Sequence, residues 1–196
     1  MNEIKSVVVM ASGDGSVAQA IFDSVLNGPL SGLIKIEKVI SDQPNAGVLN
    51  RAEQAGIATS TLPMKDFANR SEWNQGLINE VAKSKPWLVV SAGFMRILSP
   101  DFVNRFRTIN THPALLPAFP GAHAVADALA AGVSVTGATV HFVDEGVDTG
   151  QIINQVSVQV HKGDTQAQLH ERIKIEERKI LVQTIEELAK QIEEPV

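Results

Sequence analysis

The sequence of 196 residues carries a formal net charge of −5 at pH 7 and contains no cysteine. Its length fits one domain with one core, and its mildly acidic balance argues against a nonspecific nucleic-acid or membrane surface, which requires a basic face. The lack of cysteine excludes disulfides, thiolate metal sites and a cysteine nucleophile, and it suits a reducing cytoplasm.

Short apolar runs alternate with amphipathic stretches through the first half of the chain. No apolar run approaches the ~20 residues that span a bilayer, and the N-terminus lacks the basic and apolar segments of a signal peptide. We therefore expect a soluble cytoplasmic protein. Strands are predicted at 6–12, 34–41, 57–63 and 87–93, and helices at 16–28, 46–56 and 70–85, the last with Ser71 as its N-cap.

The second half of the chain has a different pattern. A short helix at 100–106 and a strand at 108–112 precede a proline-rich loop, a helix at 124–132, strands at 137–144 and 150–160, and one long helix from Thr165 to about Glu194. The short connection between the last two strands favours antiparallel pairing. The whole pattern predicts an α/β fold with a mainly parallel sheet, in one domain whose second half forms one side of a cleft.

Polar and glycine-rich segments lie at the carboxyl ends of four of the predicted strands. They are 12–16, 41–45, 92–96 and 110–112. Because ligands of open α/β sheets bind beyond the carboxyl ends of the strands, this convergence predicts a functional site at that edge of the sheet.

The segment SGDGSVAQA follows a strand and opens a helix. Glycines allow a tight turn, and the free N–H groups of a helix N-terminus bind phosphate. Gly13, Gly15 and Ala18 also fit a relaxed dinucleotide fingerprint, and Asp42 ends the second strand near the place of a ribose-binding acid. The alternative is a turn that only requires glycine.

Asn110 and His112 lie two residues apart on a short strand, so their side chains point the same way. An amide and an imidazole directed at one point can both donate hydrogen bonds to a developing oxyanion, and histidine can also move a proton near neutral pH. The alternative is a solvated histidine at a polar strand end. The following PALLPAFPG segment favours a functional role, because it stiffens the backbone and supplies an apolar wall.

An acidic loop joins the two last strands and contains Asp144, Glu145 and Asp148. A carboxylate beside a histidine orients the imidazole and raises its pKa. The alternative is an acidic turn with no role in a site. The sequence leaves open which of the three acids faces inward. His112, His123 and His141 match no metal-ligand spacing, so no metal is expected. A serine hydrolase is not expected either, because the sequence has no Gly-x-Ser-x-Gly elbow.

The last helix carries a charged face. Lys174 and Arg178 lie four residues apart, with Glu177 adjacent. Such a face can hold a phosphate and hydroxyl groups, although a solvated charged face is the commoner reason for this pattern.

Four segments carry a family resemblance: AGFMRILSP, NTHPALLP, FPGAH and TVHFVDEGVDTG. With them the chain resembles phosphoribosylglycinamide formyltransferases over nearly its whole length. The resemblance implies a Rossmann-like sheet of about seven strands and a single formyltransferase domain over 1–196. Its phosphate-binding half is about 1–100, and its catalytic and folate-binding half is about 101–196. It also implies formyl transfer from 10-formyltetrahydrofolate to the primary amine of glycinamide ribonucleotide in purine biosynthesis, without a metal.

The same resemblance implies roles for individual residues. The catalytic residues would be Asn110, His112 and Asp148. The substrate would be bound by Gly13, Asp14, Gly15, Ser16, Val17, Gly93, Met95, Lys174 and Glu177. The folate would be bound by Arg96, Ile97, Leu98, Val143, Asp144, Glu145, Gly146 and Val147. The family commonly has Asn where Val17 stands, so a side-chain contact is lost there while the backbone N–H remains.

In the implied reaction the amine attacks the formyl carbon directly. Asn110 and protonated His112 would stabilise the tetrahedral oxyanion, and Asp148 would keep His112 charged and help to move the proton. We expect small-molecule substrates, no nucleic acid or membrane, and a monomer or a homodimer.

Three alternatives remain open. Formyltetrahydrofolate hydrolase shares this domain but usually has a preceding regulatory domain, and methionyl-tRNA formyltransferase has a further C-terminal domain. We expect neither, because the chain begins at its first strand and ends soon after its long helix. A nucleotide sensor or NAD-dependent oxidoreductase would depend on Gly13, Gly15 and Asp42 and leave Asn110, His112 and Asp148 unexplained.

Overall fold

A seven-stranded sheet organises the molecule, as the sequence pattern predicts. The computed structural model describes residues 3–191. The spatial order of the strands is β3-β2-β1-β4-β5-β6-β7. Strands β1–β5 are parallel to one another, and β6 runs antiparallel to both of its neighbours, β5 and β7. The strands are β1 Lys5–Met10, β2 Ile34–Ser41, β3 Thr59–Thr61, β4 Leu88–Ser91, β5 Thr108–His112, β6 Val135–Phe142 and β7 Ile152–Gln159.

Within residues 3–191, six helices cover the sheet, and a 3₁₀ turn at Met64–Asp66 adds an element that the sequence pattern missed. The long last helix begins with a reciprocal capping box between Thr165 and Gln168. Its predicted end near Glu194 lies outside the described residues. The helices are α1 Ser16–Asn27, α2 Gly47–Gln54, α3 Arg70–Ala82, α4 Pro100–Arg105, α5 Ala124–Ala130 and α6 Gln166–Lys190.

The N-cap prediction for α3 was wrong by two residues. Asn69 caps this helix, because its side-chain oxygen accepts a hydrogen bond from the Glu72 N–H at 3.0 Å. Ser71 lies inside the first turn instead. Both residue types cap helices well, so only the backbone geometry distinguishes them.

Alternating residues of the central strands feed two separate apolar clusters. Val7 and Val9 of β1 join the cluster under α1, α2 and α6, whereas Val8 and Met10 join the one under α3 and α4. This two-sided burial explains why β1 and β4 read as continuous apolar runs in the sequence. Trp73 of α3 is fully buried in the second cluster, and its indole N–H donates to the Leu62 carbonyl at 2.9 Å.

The chain topology puts a crevice above the middle of the sheet. The strand order runs outward in both directions from β1 and β4, so the loops that follow these two strands diverge. On the other side of β5, the antiparallel strand β6 ends at Phe142, opposite Ile109, and the acidic loop begins there. The loop then runs back along β5 and brings Asp148 to His112. Among residues 3–191, no helix is long and apolar enough to cross a membrane.

Candidate active site

A cavity of about 430 Å³ lies at this crevice. Its volume is within the ~300–1,000 Å³ typical of small-molecule sites. Three predicted groups stay outside its lining: the phosphate loop 13–17, the pair Lys174 and Glu177, and Glu145. The predicted residues that line it are Gly93, Met95, Arg96, Ile97, Leu98, Asn110, His112, Val143, Asp144, Gly146, Val147 and Asp148.

The end of β5 presents two polar side chains to this cavity. Asn110 and His112 share one face of the strand, and the intervening Thr111 points to the opposite face, towards α6. His112 is buried, at 4% exposure, although it follows no apolar pattern. A buried polar residue requires partners, and the structure supplies them for both ring nitrogens.

The imidazole of His112 lies between two oxygen acceptors. Its Nδ1 lies 3.2 Å from Oδ2 of Asp148, and its Nε2 lies 2.7 Å from the Phe119 carbonyl in the proline-rich loop. Each ring nitrogen therefore has an oxygen acceptor within reach, so the ring is held from both sides. The loop and the carboxylate together fix the orientation of the ring at the cavity.

Asp148 is the acid of the loop that faces inward. Its backbone is left-handed, with φ of 56°, which turns the carboxylate back towards β5. Oδ2 also accepts the Gly121 N–H at 2.8 Å. Burial, the largest contribution, raises the pKa of this carboxyl, but interactions with His141, the Gly121 N–H and His112 outweigh it and hold the pKa below its usual value.

The other two acids of the loop have different partners. Oδ1 of Asp144 accepts the Gly146 N–H at 3.0 Å and the Thr149 hydroxyl at 2.7 Å, which shapes the loop. Glu145 accepts from the Asn104 amide at 3.1 Å, on the exposed side. The question that the sequence left open is thereby answered by the fold.

His141 joins the cluster from β6, directly opposite Asn110. Its Nδ1 lies 2.8 Å from the Phe142 carbonyl, and its Nε2 lies 3.3 Å from the amide nitrogen of Asn110. The same Nε2 lies 3.5 Å from Oδ1 of Asp148. The sequence alone left open whether His141 assists the site, and the register of β5 and β6 is what brings it to Asn110.

The glycine-rich loop after β1 leads into α1. Gly15 has φ of +81°, and a Cβ there would lie 2.6 Å from Val48, so glycine is required for the turn and for close packing. No side chain caps α1 and no acid stands in its first turn, so its N-terminus is open to an anion. Val17 packs partly against the core, and Asp14 is paired with Arg51 at 2.7 Å.

The charged face of α6 is less solvated than its sequence indicates. Glu177 is buried at 5% exposure. Burial raises its pKa to about 7, against the opposing effects of a hydrogen bond with Thr111 and of the charges of Lys174 and Arg178. Lys174 remains about one third exposed, and only a long contact of 4.0 Å joins its Nζ to Glu171.

The segment after β4 forms another wall of the cavity. Met95 and Ile97 are largely exposed there, whereas Leu98 is buried. Arg96 is tied through its Nε to Asp42 at 2.7 Å, and Arg70 of α3 donates to the Ile97 carbonyl. Sequence reasoning missed Arg70, because nothing in its local pattern shows that α3 reaches this wall.

The dinucleotide alternative depended on a free carboxylate at the end of β2. Both oxygens of Asp42 accept hydrogen bonds from the protein itself, from Ser12 at 2.6 Å and from Arg96 at 2.7 Å. A ribose-binding acid needs an available oxygen for the hydroxyls. The structure therefore gives no support to Asp42 in that role.

His123 and His170 also line the cavity, together with Gln166. Burial, followed by the charge of Lys174, lowers the pKa of His170. No group of three or more potential metal ligands occurs within residues 3–191.

The fold and the cluster define a class of protein: an α/β protein that brings an amide, an imidazole and a carboxylate together in one cavity beyond the carboxyl ends of its strands. The chain belongs to the formyl transferase family, whose sequence model matches residues 5–185.

Individual relatives agree with this assignment. The chain is 46% identical over 185 residues to a phosphoribosylglycinamide formyltransferase of Mycobacterium tuberculosis, covering 93% of this chain and 84% of the relative. It is 41% identical over 177 residues to the Escherichia coli protein of that name, covering 89% and 82%. A solved glycinamide ribonucleotide transformylase 1 from Symbiobacterium toebii superposes with a TM-score of 0.93 at 37% identity, covering 98% of this chain and 92% of that structure.

Proposed function

We propose that this chain transfers the formyl group of 10-formyltetrahydrofolate to the primary amine of glycinamide ribonucleotide, in purine biosynthesis. The observation that carries the proposal is the contact between His112 and Asp148 beside Asn110 at one end of a cavity. The names of the relatives support the choice of substrates. In this proposal residues 1–196 act as one domain on small molecules in the cytoplasm, without nucleic acid.

The phosphoribosyl end of the substrate is assigned to the glycine loop and α6. Gly13, Asp14, Gly15, Ser16 and Val17 would offer backbone N–H groups to the phosphate at the N-terminus of α1. Lys174 would add a positive charge. Glu177 would accept hydrogen bonds from ribose hydroxyls, and its buried position lets it distinguish hydroxyls from a second anion.

The amine and the folate meet between these residues and the acidic loop. Gly93 and Met95 would hold the glycinamide. The pteridine would lie against the apolar wall of the cavity, where backbone groups can form hydrogen bonds with the polar atoms at the edge of its ring. The residues assigned to the folate are Arg96, Ile97, Leu98, Val143, Asp144, Gly146 and Val147, which line the cavity, and Glu145, which does not.

In the proposed reaction the formyl group passes directly from the folate to the amine. The amine nitrogen attacks the formyl carbon, and the carbonyl oxygen becomes an oxyanion that accepts hydrogen bonds from Asn110 and His112. Collapse of this intermediate breaks the bond from the carbon to N10 of the folate. The attacking nitrogen loses one proton and N10 gains one, which His112 and Asp148 relay.

Two details of the structure fit this sequence of steps. The amide nitrogen of Asn110 has two N–H groups, and the contact with His141 can engage one of them at most. The Nε2 donor of His112 is engaged by the Phe119 carbonyl, which an oxyanion would replace as the acceptor. The negative charge of Asp148 favours the cationic ring that donates most strongly.

A coupled assay tests the proposal. The purified protein is incubated with 10-formyltetrahydrofolate, with and without glycinamide ribonucleotide, and tetrahydrofolate and the formylated amide are both quantified. We expect equal amounts of the two products, and only when the amine is present. Release of tetrahydrofolate without the amine would instead indicate a hydrolase. The dephosphorylated riboside serves as a matched substrate, and a much higher KM is expected for it if the glycine loop binds phosphate.

A further inference from the structure

A closed ring of hydrogen bonds joins the glycine loop to the wall of the cavity. Oδ1 of Asp42 accepts the Ser12 hydroxyl at 2.6 Å, and its Oδ2 accepts Nε of Arg96 at 2.7 Å and the Gln43 amide at 2.9 Å. The Ser12 hydroxyl oxygen in turn accepts the Met95 N–H at 2.8 Å. The ring therefore runs from β2 to the loop after β1, then to the loop after β4, and back to β2.

Asp42 is the most deeply buried member of this ring, at 2% exposure. Burial, the largest contribution, raises the pKa of its carboxyl, and the hydrogen bonds from Ser12, Arg96 and Gln43 lower it more, so the net pKa lies below the usual value. A buried ionised carboxylate with three donors has few alternative geometries, because each lost donor leaves an unsatisfied charge.

The two segments that the ring connects belong to different substrates in the proposed function. Ser12 directly precedes the glycine loop assigned to the phosphate. Met95 and Arg96 belong to the wall assigned to the glycinamide and the folate. A second direct bond, from the Ser12 N–H to the Gly93 carbonyl at 3.0 Å, strengthens the same connection.

We propose that Asp42 is a positioning residue that holds the phosphate loop and the loop after β4 in one common geometry. The inference rests on the proposed function for the identity of the two substrates. It does not place Asp42 in contact with either of them. Loss of this one carboxylate should therefore weaken the binding of both substrates, although they occupy different parts of the cavity.

The variant Asp42→Asn tests this role with the same side-chain shape. An amide has one accepting oxygen, so it can satisfy Ser12 or Arg96 but not both, and its N–H₂ group faces donors. We expect KM to rise about tenfold for glycinamide ribonucleotide and also for 10-formyltetrahydrofolate, the effect of one lost charge-assisted hydrogen bond. Ser12→Ala breaks the ring from the other side and should raise both KM values as well.

Glu80→Gln is the matched control. This carboxylate is also mostly buried, and it accepts from Lys38 and Lys83 at 2.6 Å each, away from the cavity. It should lower the melting temperature without changing either KM. The inference is overturned if neither Asp42→Asn nor Ser12→Ala raises the KM values of both substrates.

Hydrogen–deuterium exchange separates this inference from the proposed function, because it needs no substrate. In Asp42→Asn, segments 11–18 and 92–98 should both exchange at least severalfold faster, whereas Glu80→Gln should change neither. Unchanged exchange in either segment overturns the link even if the enzyme is active. If the wild-type protein shows no formyl transfer but Asp42→Asn still shows faster exchange in both segments, the proposed function is refuted and the structural link is retained.

Discussion

The two ends of the candidate site are built by different means. At the β5 end, side chains from β5, β6 and the acidic loop meet, and His112 and Asp148 each have several protein partners. At the α1 end, one continuous segment turns at glycine and presents backbone N–H groups. The first end depends on which side chains are present, and the second depends on which backbone conformations are possible.

This difference predicts how each end responds to mutation. A catalytic side chain cannot be replaced without loss of its donor or charge. In the glycine loop, by contrast, the side chains of Asp14 and Val17 have partners within the protein, so the N–H groups can function with different residues at these positions. Each of the following experiments tests one side of this comparison.

The largest effect is expected for His112→Ala. Loss of one oxyanion donor costs about 3 kcal/mol, and kcat should fall at least a hundredfold, as it should for Asp148→Ala. Steady-state kinetics with both substrates saturating measures this, and thermal unfolding checks that the fold is intact. The exposed His161→Ala provides the control and should keep full turnover. Near-full turnover in both catalytic variants would contradict the assignment.

Gly15→Ala tests the backbone end. The new methyl group would lie 2.6 Å from Val48 atoms, in a conformation that only glycine adopts easily, so the loop has to shift. KM for glycinamide ribonucleotide should rise about tenfold, with kcat much less affected. Gly32→Ala is a matched control, because Gly32 also has a positive φ but open space around it. If both variants keep the wild-type KM, the loop does not bind the phosphate.

The ionisation of Glu177 should make the stability of the protein depend on pH. Its folded pKa of about 7 is above the ordinary value of 4.5, so it favours the folded state at low pH, and this contribution is lost as pH rises from about 4.5 through 7. The melting temperature of the wild type, relative to Glu177→Gln, should therefore fall across that interval.

Substrate binding should show the opposite trend. The ionised carboxylate accepts ribose hydroxyls better, so KM for glycinamide ribonucleotide should decrease severalfold between pH 6 and 8 in the wild type and less in Glu177→Gln. Parallel pH profiles for the two proteins would exclude this role for Glu177.

The smallest effect is expected for Val17→Asn, which restores the residue common in the family. One added side-chain hydrogen bond should lower KM for glycinamide ribonucleotide about threefold, while the lost apolar packing lowers stability by about 1 kcal/mol. Val17→Ala should lower stability without improving KM. A large gain with Asn would show that side chains matter at this end too.

The sequence pattern predicted the sheet, the helices and the common face of Asn110 and His112, because these follow from local periodicity and strand alternation. Which acid faces His112 did not follow, because this depends on the left-handed turn at Asp148. The place of His141 stayed open for a related reason: its distance from Asn110 is set by the pairing register of two strands that are far apart in sequence. The assigned roles of these residues stay predictions until the variants are measured.

The burial of Glu177 on α6 could not be predicted from the local sequence pattern either. Lys174 and Arg178 indicate a solvated face, yet Glu177 between them is covered, because α6 packs over β5 and places this carboxyl against Thr111. Helical periodicity gives the direction of a side chain, but not the neighbour that it meets.

The alternation of β5 has an evolutionary consequence. Asn110 and His112 face the cavity, while Thr111 meets Glu177 on the reverse side, so this strand divides the two sets of polar contacts. Insertion or deletion of a single residue here would exchange the two faces and abolish both sets together. We expect related chains to differ in length within their surface loops and to keep a constant length from Ile109 to His112.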